Sequence, residues 1–428
     1  MGMVSVQVRV PQASVFPGVG AGDTPSLDLN FLGGSLDSRV TFTRASSATF
    51  VGSNGLIQSA STNNPRFDFD PVSLAIRGLL VEEARTNLFL RSEEFGTTWS
   101  SVRTSITANA AVAPDGATTA DTLVENTDTD THALQQSVSV TSGQSYTFSI
   151  YVKPAGRTNF SLRPAVAQFS AITSGAVFNL STLAVTTLGG CTAATIADAG
   201  NGWARLTAAA ACTATASANF SAYLISTGTT DNYTGDGTSG VYLWGAQAEA
   251  GSFATSYIPT TGGTAGRTAD FPKINGFAPA NAVALLAEFT AGSFAEYLQV
   301  VSIDNGVNNN ERFPSLSVNG GTGVGRCDLF YGGVGALNSS PTTANSISTS
   351  GVNKLALAVE NTTAPTSICL NGGAVVSTNP ASGGVITATV LCIGHRAVDT
   401  GSSLNGHIRR IRYWPKRLSN AQLQALTA

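Results

Sequence analysis

The feature that most constrains this chain is a period of two. Apolar and polar residues alternate over runs of strand length, and turn-forming residues interrupt the runs about every 8–12 positions, the spacing of a β-sandwich rather than of βαβ units. "QSYTFSIYVKP" (144–154), "GVYLWGAQAEAG" (240–251), "VALLAEFT" (283–290) and "NKLALAVEN" (353–361) are examples. Side chains alternate across a strand, so Tyr146, Phe148 and Ile150 fall on one face of the first run and Thr147, Ser149 and Tyr151 on the other. Long amphipathic helices are nearly absent, and no short exact repeat suggests a solenoid. The pattern predicts an all-β chain.

Composition agrees. Charged residues are 11% of 428, against roughly 25% in ordinary soluble domains. Ser, Thr, Asn and 45 Gly supply the missing polarity, as pleated surfaces joined by tight corners require. A net charge of −3 gives no global field that would draw nucleic acid or an anionic membrane surface. No stretch approaches the roughly 18 apolar residues of a membrane span, so no membrane insertion is expected. "MGMVSVQVRVPQASVF" lacks the basic-then-apolar order of a signal peptide, and the residues after Gly2 do not place Ser or Thr for myristoylation. Cys191, Cys212, Cys327, Cys369 and Cys392 form no CxxC pair. They read as free, small buried hydrophobes of a reduced compartment. Cys369 and Cys392 lie in neighbouring β runs, where a bridge would be the exception.

Two connectors divide the chain into 1–95, 96–262 and 263–428. The first segment begins like a linker, and its apolar runs are too short to build a core alone. It is expected to dock on a neighbour as an assembly element, and its deletion is expected to leave two folded sandwiches. Arg44, Arg66, Arg77 and Arg85 are interspersed with Asp68, Asp70, Glu82 and Glu83. Ion pairs between segments or subunits are the plain reading. A catalytic carboxylate pair, Asp68 with Asp70, is the sharper one, but no His or Lys stands nearby in sequence to tune it. In the second segment, Trp203 and Trp244 read as buried pillars, and Trp99, in the polar stretch "GTTWSSVRT", as the better exposed aromatic. In the third, Asn371-Gly372 signals a hairpin. "LNGHIRRIRYW" (404–414) keeps one apolar face only if a bulge falls near Arg409-Arg410, which leaves the arginines mainly toward solvent. Ser419 is placed to cap a terminal helix with Gln422, stapled by Leu418 and Leu423.

Chemistry is sparse. His132, His395 and His407 sit in no metal-binding spacing, and neither a nucleophile elbow nor a phosphate loop appears. "GGTGVGRCD" (320–328) reads as a loop. "IDNGVNNNE" (303–311) places Asp304, Asn308 and Glu311 in a hard-oxygen loop of the kind that holds Ca²⁺. "NTDTDTH" (126–132) and "TDNYTGDGTSG" (230–240) are similar. A plain Asx turn is the commoner explanation of each. A structural Ca²⁺ is the one cofactor these loops allow, and no enzymatic activity is expected.

The residues "FTRASSATFVGSNGLIQSA", "NNPRFDFDP" and "RGLLVEEARTNLFLRSEEF", within 28–95, resemble an N-terminal module of tailed-bacteriophage fibre and head-spike proteins. "GVYLWGAQAEAGSFATSYIPTTG" resembles the end of a carbohydrate-binding-module-like jelly roll. "ICLNG", "LCIG" and "LNGHIRRIRYWPKRLSNAQL" are similar to laminin-G or concanavalin-A-like lectin domains. The resemblance implies tandem jelly-roll sandwiches behind an irregular virion-attachment segment. It implies a protein made in the host bacterial cytoplasm and carried on the virion surface, held to other virion proteins through residues 1–95, and homotrimeric. It also implies attachment to a host-surface glycan, for which Trp99 and Tyr233 are the candidate platforms. The rival role is a capsid decoration or tail component that binds only other virion proteins.

Overall fold

The computed structural model describes residues 24–292, 297–307, 312–330, 342–360, 365–378, 386–397 and 402–428. The chain is all-β, two antiparallel sandwiches in tandem. The first is built within residues 100–250 from two six-stranded sheets. One runs Ala193–Asp198, Ala204–Ala211, Ser145–Ala155, Gly240–Ala250, Ala120–Glu125, Thr104–Ala111. The other runs Ala184–Thr187, Ala176–Asn179, Asn159–Pro164, Ala216–Ile225, His132–Val140, Ser100–Val102. The alternation expected of Ser145–Ala155 holds: Tyr146, Phe148 and Ile150 enter the core between the sheets, whereas Tyr151 joins a separate cluster with Trp203, Trp244 and Tyr257 on the outer face. Trp203 and Trp244 are the buried pillars expected of them, their indole N–H groups donating to Val112 O and Thr119 Oγ1.

The second sandwich is closed by the strand Gly406–Trp414. It pairs on one side with Ala282–Ala291 and on the other with Leu27–Asn30 and Ile76–Val81, to which Phe67–Phe69 adds. The facing sheet has Thr41–Thr43 on the edge beside Phe271–Asn275. Residues 27–81 are therefore woven into the second sandwich. Leu27, Leu29, Phe31, Leu79 and Val81 lie in the same core as Leu285, Val301, Ile408 and Ile411. The docking expected of the first segment is strand pairing, and its deletion would strip strands and core residues from this sandwich.

A buried ion network fixes the same segment to the connector between the sandwiches. Arg44 Nη1 and Arg66 Nη2 reach Asp270 at 3.0 and 2.5 Å, and Arg66 Nη1 reaches Glu82 at 2.8 Å, with the side chains of both arginines and of Asp270 fully out of solvent. Arg267 lies 3.6 Å from Glu82. Burying such charges is tolerable only because each is paired.

Several local expectations are met. In the closing strand the register slips between Glu288–Arg410 and Phe289–Ile408, so Arg409 is the extra residue of a bulge. Ser419 accepts from Gln422 N while Gln422 Oε1 accepts from Ser419 N, a complete capping box on the helix Asn420–Thr427, and Leu418 and Leu423 are buried together beneath it. Asn371 and Gly372 both take positive φ in the turn after Thr366–Leu370. Other expectations fail. Arg412 is not a solvent-side charge; it is buried near Asp28 (3.8 Å) and Glu288 (3.9 Å), and Asp28 also receives Arg410. Residues 324–328 of the glycine-rich stretch belong to the strand Val324–Phe330 rather than to a loop. Cys369 and Cys392 stand in opposite sheets, each beside its own partner, Thr427 and Asp304, and all five thiols are free and buried. Among the described residues, no helix is long and apolar enough to cross a membrane.

Candidate functional site

Where the outer face of the first sandwich meets the edge of the second, the chain leaves a cleft of about 570 Å³, inside the roughly 300–1,000 Å³ span of small-molecule sites. All three segments wall it: the hairpin of Ala48–Val51 and Ile57–Ala60 with the turn after Asp68, the outer face carrying Tyr151 and Arg205, and the paired strand ends at Thr290 and His407.

Its charged groups are held in fixed places. Asp68 Oδ1 accepts from Val51 N at 2.7 Å, and Asp68 Oδ2 lies 2.9 Å from His407 Nε2. Thr290 Oγ1 is 3.0 Å from His407 Nδ1. With the ring proton on Nε2 the imidazole donates to Asp68 and accepts from Thr290, and the whole chain of contacts is satisfied. His407, 339 positions from Asp68, is the histidine that sequence proximity did not offer. Asp70 Oδ1 accepts from Val72 N, Ser73 N and Ser73 Oγ, and Asp70 Oδ2 from Arg77 at 2.8 Å. The Ser73 hydrogen bond, then Arg77, hold this carboxyl far below the usual carboxylate range, burial opposing them. Glu82 accepts twice from Ser256, through N at 2.7 Å and Oγ at 2.6 Å. Burial alone would raise its pKa, but Arg267, Arg66 and the Ser256 bonds together hold it far below the ordinary glutamate value.

Every carboxylate oxygen of Asp68, Asp70 and Glu82 is thus already engaged. Asp70 and Glu82 stay ionised at neutral pH, so neither supplies a proton, and the Asp68/Asp70 pair is a structural arrangement rather than an acid and a base facing a reacting bond.

Tyr151 also lines the cleft. Tyr151 is only 7% exposed, its ring is packed against Trp244 at 5.5 Å and covered by the Arg205 guanidinium at 5.4 Å, and among the described residues its hydroxyl has no hydrogen-bond partner. Burial pushes the phenol up, Arg205 draws it down, and the charges of Asp68 and Glu82 push it up further. Arg205 is held in turn by Thr255 O at 2.7 Å and Ser149 Oγ at 3.2 Å. A hydroxyl that can both donate and accept, on the wall of a cleft that also holds fixed carboxylates and a guanidinium group, suits a ligand that itself carries hydroxyls. The alternating face of "QSYTFSIYVKP" held the signal for Tyr151; nothing local marked Arg205.

The residues singled out in the sequence lie elsewhere. Trp99 is not exposed. It sits in the core of the first sandwich, 4.8 Å from the Phe89 ring and 5.2 Å from Phe95, its N–H given to Arg91 O. Tyr233 has its ring beside Arg157 at 5.0 Å and His132 at 4.8 Å, and its hydroxyl donates to Glu125 at 2.6 Å. Neither residue lines the cleft. Asp304 is buried, accepting from Gly306 N, Ser302 Oγ and Ala397 N, while Asn308 and Glu311 lie outside the described residues. Asp236 closes an Asx-type turn by accepting from Thr238 N and Ser239 N, and Asn126 closes another by accepting from Asp128 N. Among the described residues, no three His, Cys, Asp or Glu side chains gather to hold a metal.

No protein-family model matches the chain, and no curated protein does. Solved structures with similar sandwiches include the CBM40 module of Ruminococcus gnavus IT-sialidase bound to α2,3-sialyllactose, 16% identical, covering 35% of this chain and 84% of that one, with a TM-score of 0.31. Domains LG4-5 of the mouse laminin α1 chain are 9% identical and cover 69% and 88%, with a TM-score of 0.24. A putative carbohydrate binding protein from Bacteroides ovatus is 11% identical and covers 70% and 80%, also with a TM-score of 0.24. Overlaps this loose transfer no ligand and no site residue to this chain.

Proposed function

We propose that this protein is a non-enzymatic carbohydrate-binding protein, carried on a bacteriophage particle as a fibre or head spike, that holds a host-surface glycan in the cleft between its two sandwiches. The observation that carries the binding half is Tyr151, whose side chain lines the cleft beside fixed charges and whose hydroxyl has no partner among the described residues. A hydrogen bond between this hydroxyl and one of a ligand is worth about 0.5–1.5 kcal/mol. The engaged carboxylates support binding without turnover. The virion half rests on the resemblance of residues 28–95 to phage appendage proteins, with attachment to other virion proteins and trimer formation as parts of the same reading.

The test is a glycan array probed with the full chain and with Tyr151→Phe. The parent is expected to bind a bacterial surface glycan and the variant to bind it about tenfold more weakly, the value of one buried hydrogen bond, at unchanged melting temperature. Parent and variant that bind alike would remove the cleft from the reading. A chain that binds no glycan would favour the rival role, a decoration or tail component contacting only other virion proteins.

A further inference from the structure

A second cavity, about 350 Å³, opens beside the first and is lined by Pro71, Val72, Leu180, Leu183, Asp198 and Trp203 among others. Pro71 and Asp198 line both cavities. The partition between them is a rigid turn. Asp70 ties down its backbone at Val72 and Ser73. Gly55 and Gly200, both at positive φ, press on it from two sides, so closely that a Cβ on either would come within 2.8 and 2.9 Å of Pro71 O. Only glycine allows that approach.

Three details mark the second cavity as a continuation of the cleft. Asp198 is an exposed residue of the shared wall, with its Oδ1 accepting from Gly200 N at 2.9 Å. Val72 and Leu183 are 58% and 37% exposed, apolar surfaces beside a polar wall. Leu183 is held at φ 51°, a left-handed conformation that a leucine adopts only under constraint.

Resting on the cleft reading above, we propose that the two cavities are successive subsites for one linear oligosaccharide, with a sugar unit on each side of the Pro71 turn. Tyr151 and the fixed charges take the hydroxyls of the first unit. Asp198 takes a hydroxyl at the junction, and Val72 with Leu183 covers the apolar face of the second. The ligand class is therefore an oligosaccharide chain rather than a single sugar.

The experiment uses the full chain against an array of bacterial O-antigen and capsular polysaccharide fragments graded from single sugars to long oligomers, followed by calorimetry on the best series. Affinity is expected to rise at least tenfold from the single sugar to the shortest oligomer that spans the turn. Leu183→Asp, at an exposed position, should keep the parent melting temperature and lose that gain, and Val72→Asp should do the same. Tyr151→Phe should weaken every length by a similar factor. A flat dependence on length, or two aspartate variants that bind long fragments as the parent does, overturns the second subsite and leaves the cleft reading standing. Absence of binding at every length overturns both.

Discussion

Arg66 and Asp270, 204 positions apart, meet as a fully buried ion pair at 2.5 Å. The same carboxylate accepts from Arg44 Nη1 and from Glu82 N, so a single side chain of the connector holds three points of the first segment, each next to the end of a different strand. Removing it leaves arginines buried without their counter-charge. Asp270→Asn is expected to destabilise the protein by about 3–5 kcal/mol. Glu94→Gln, whose pair with Arg91 is exposed, is expected to cost about 0–1 kcal/mol. Urea unfolding of the two variants checks the contrast.

The depressed pKa of Glu82 makes stability depend on acid. A carboxyl whose folded pKa lies below its unfolded one adds stability above the unfolded value and loses it as pH falls toward the folded one. The melting temperature should therefore be flat near neutrality and begin to fall as pH drops through the ordinary glutamate range near 4.5, with Asp70 acting in the same direction. Glu82→Gln should lower stability at neutral pH and flatten the profile in acid. A variant profile parallel to the parent's would contradict the assignment.

The closing strand orders its own substitutions. Ile411→Ala empties a fully buried core position and should cost about 2–5 kcal/mol. Arg409→Gln alters only the bulge residue and should change little. Arg412→Gln should fall between them, because Arg412 is buried beside Asp28 and Glu288. Ser419→Ala removes one half of the capping box and should cost about 1 kcal/mol. Chemical denaturation of the four variants gives the order directly.

A fragment lacking residues 1–95 loses three strands of the sheet that holds Gly406–Trp414, together with the buried network. It is expected to be insoluble, or to show one cooperative transition where the full chain has the enthalpy of two sandwiches. Calorimetry of full chain and fragment decides. A soluble fragment with the full near-ultraviolet signal of both sandwiches would show that strand pairing by this segment is dispensable.

All five cysteines are free and buried, and burial pushes the thiols of Cys191, Cys327, Cys369 and Cys392 up. A thiol reagent should find none of them in the native protein at neutral pH and all five in guanidinium. Fewer than five under denaturing, non-reducing conditions would reveal a bridge.

What the sequence determined by itself was set by short-range physics. Strand alternation placed Phe148 and Ile150 inward and Tyr151 outward, Asn371-Gly372 accepted positive φ, Ser419 reached Gln422 within one helical turn, and Ile408, Ile411 and Tyr413 could share a face only through a bulge at Arg409. Each depends on residues a few positions apart, where chain geometry leaves few choices. The tertiary structure alone decided what lands on each face. Trp99 stands in a polar stretch yet is covered by Phe89 and Phe95. Arg412 belongs to an arginine-rich run yet is buried because Leu27–Asn30 brings Asp28 beside it. Asp68 met its histidine only because Gly406–Trp414 joins the sheet that holds Phe67–Phe69. Burial and charge pairing are set by partners hundreds of residues away, and no local pattern encodes which partner the folded chain will supply.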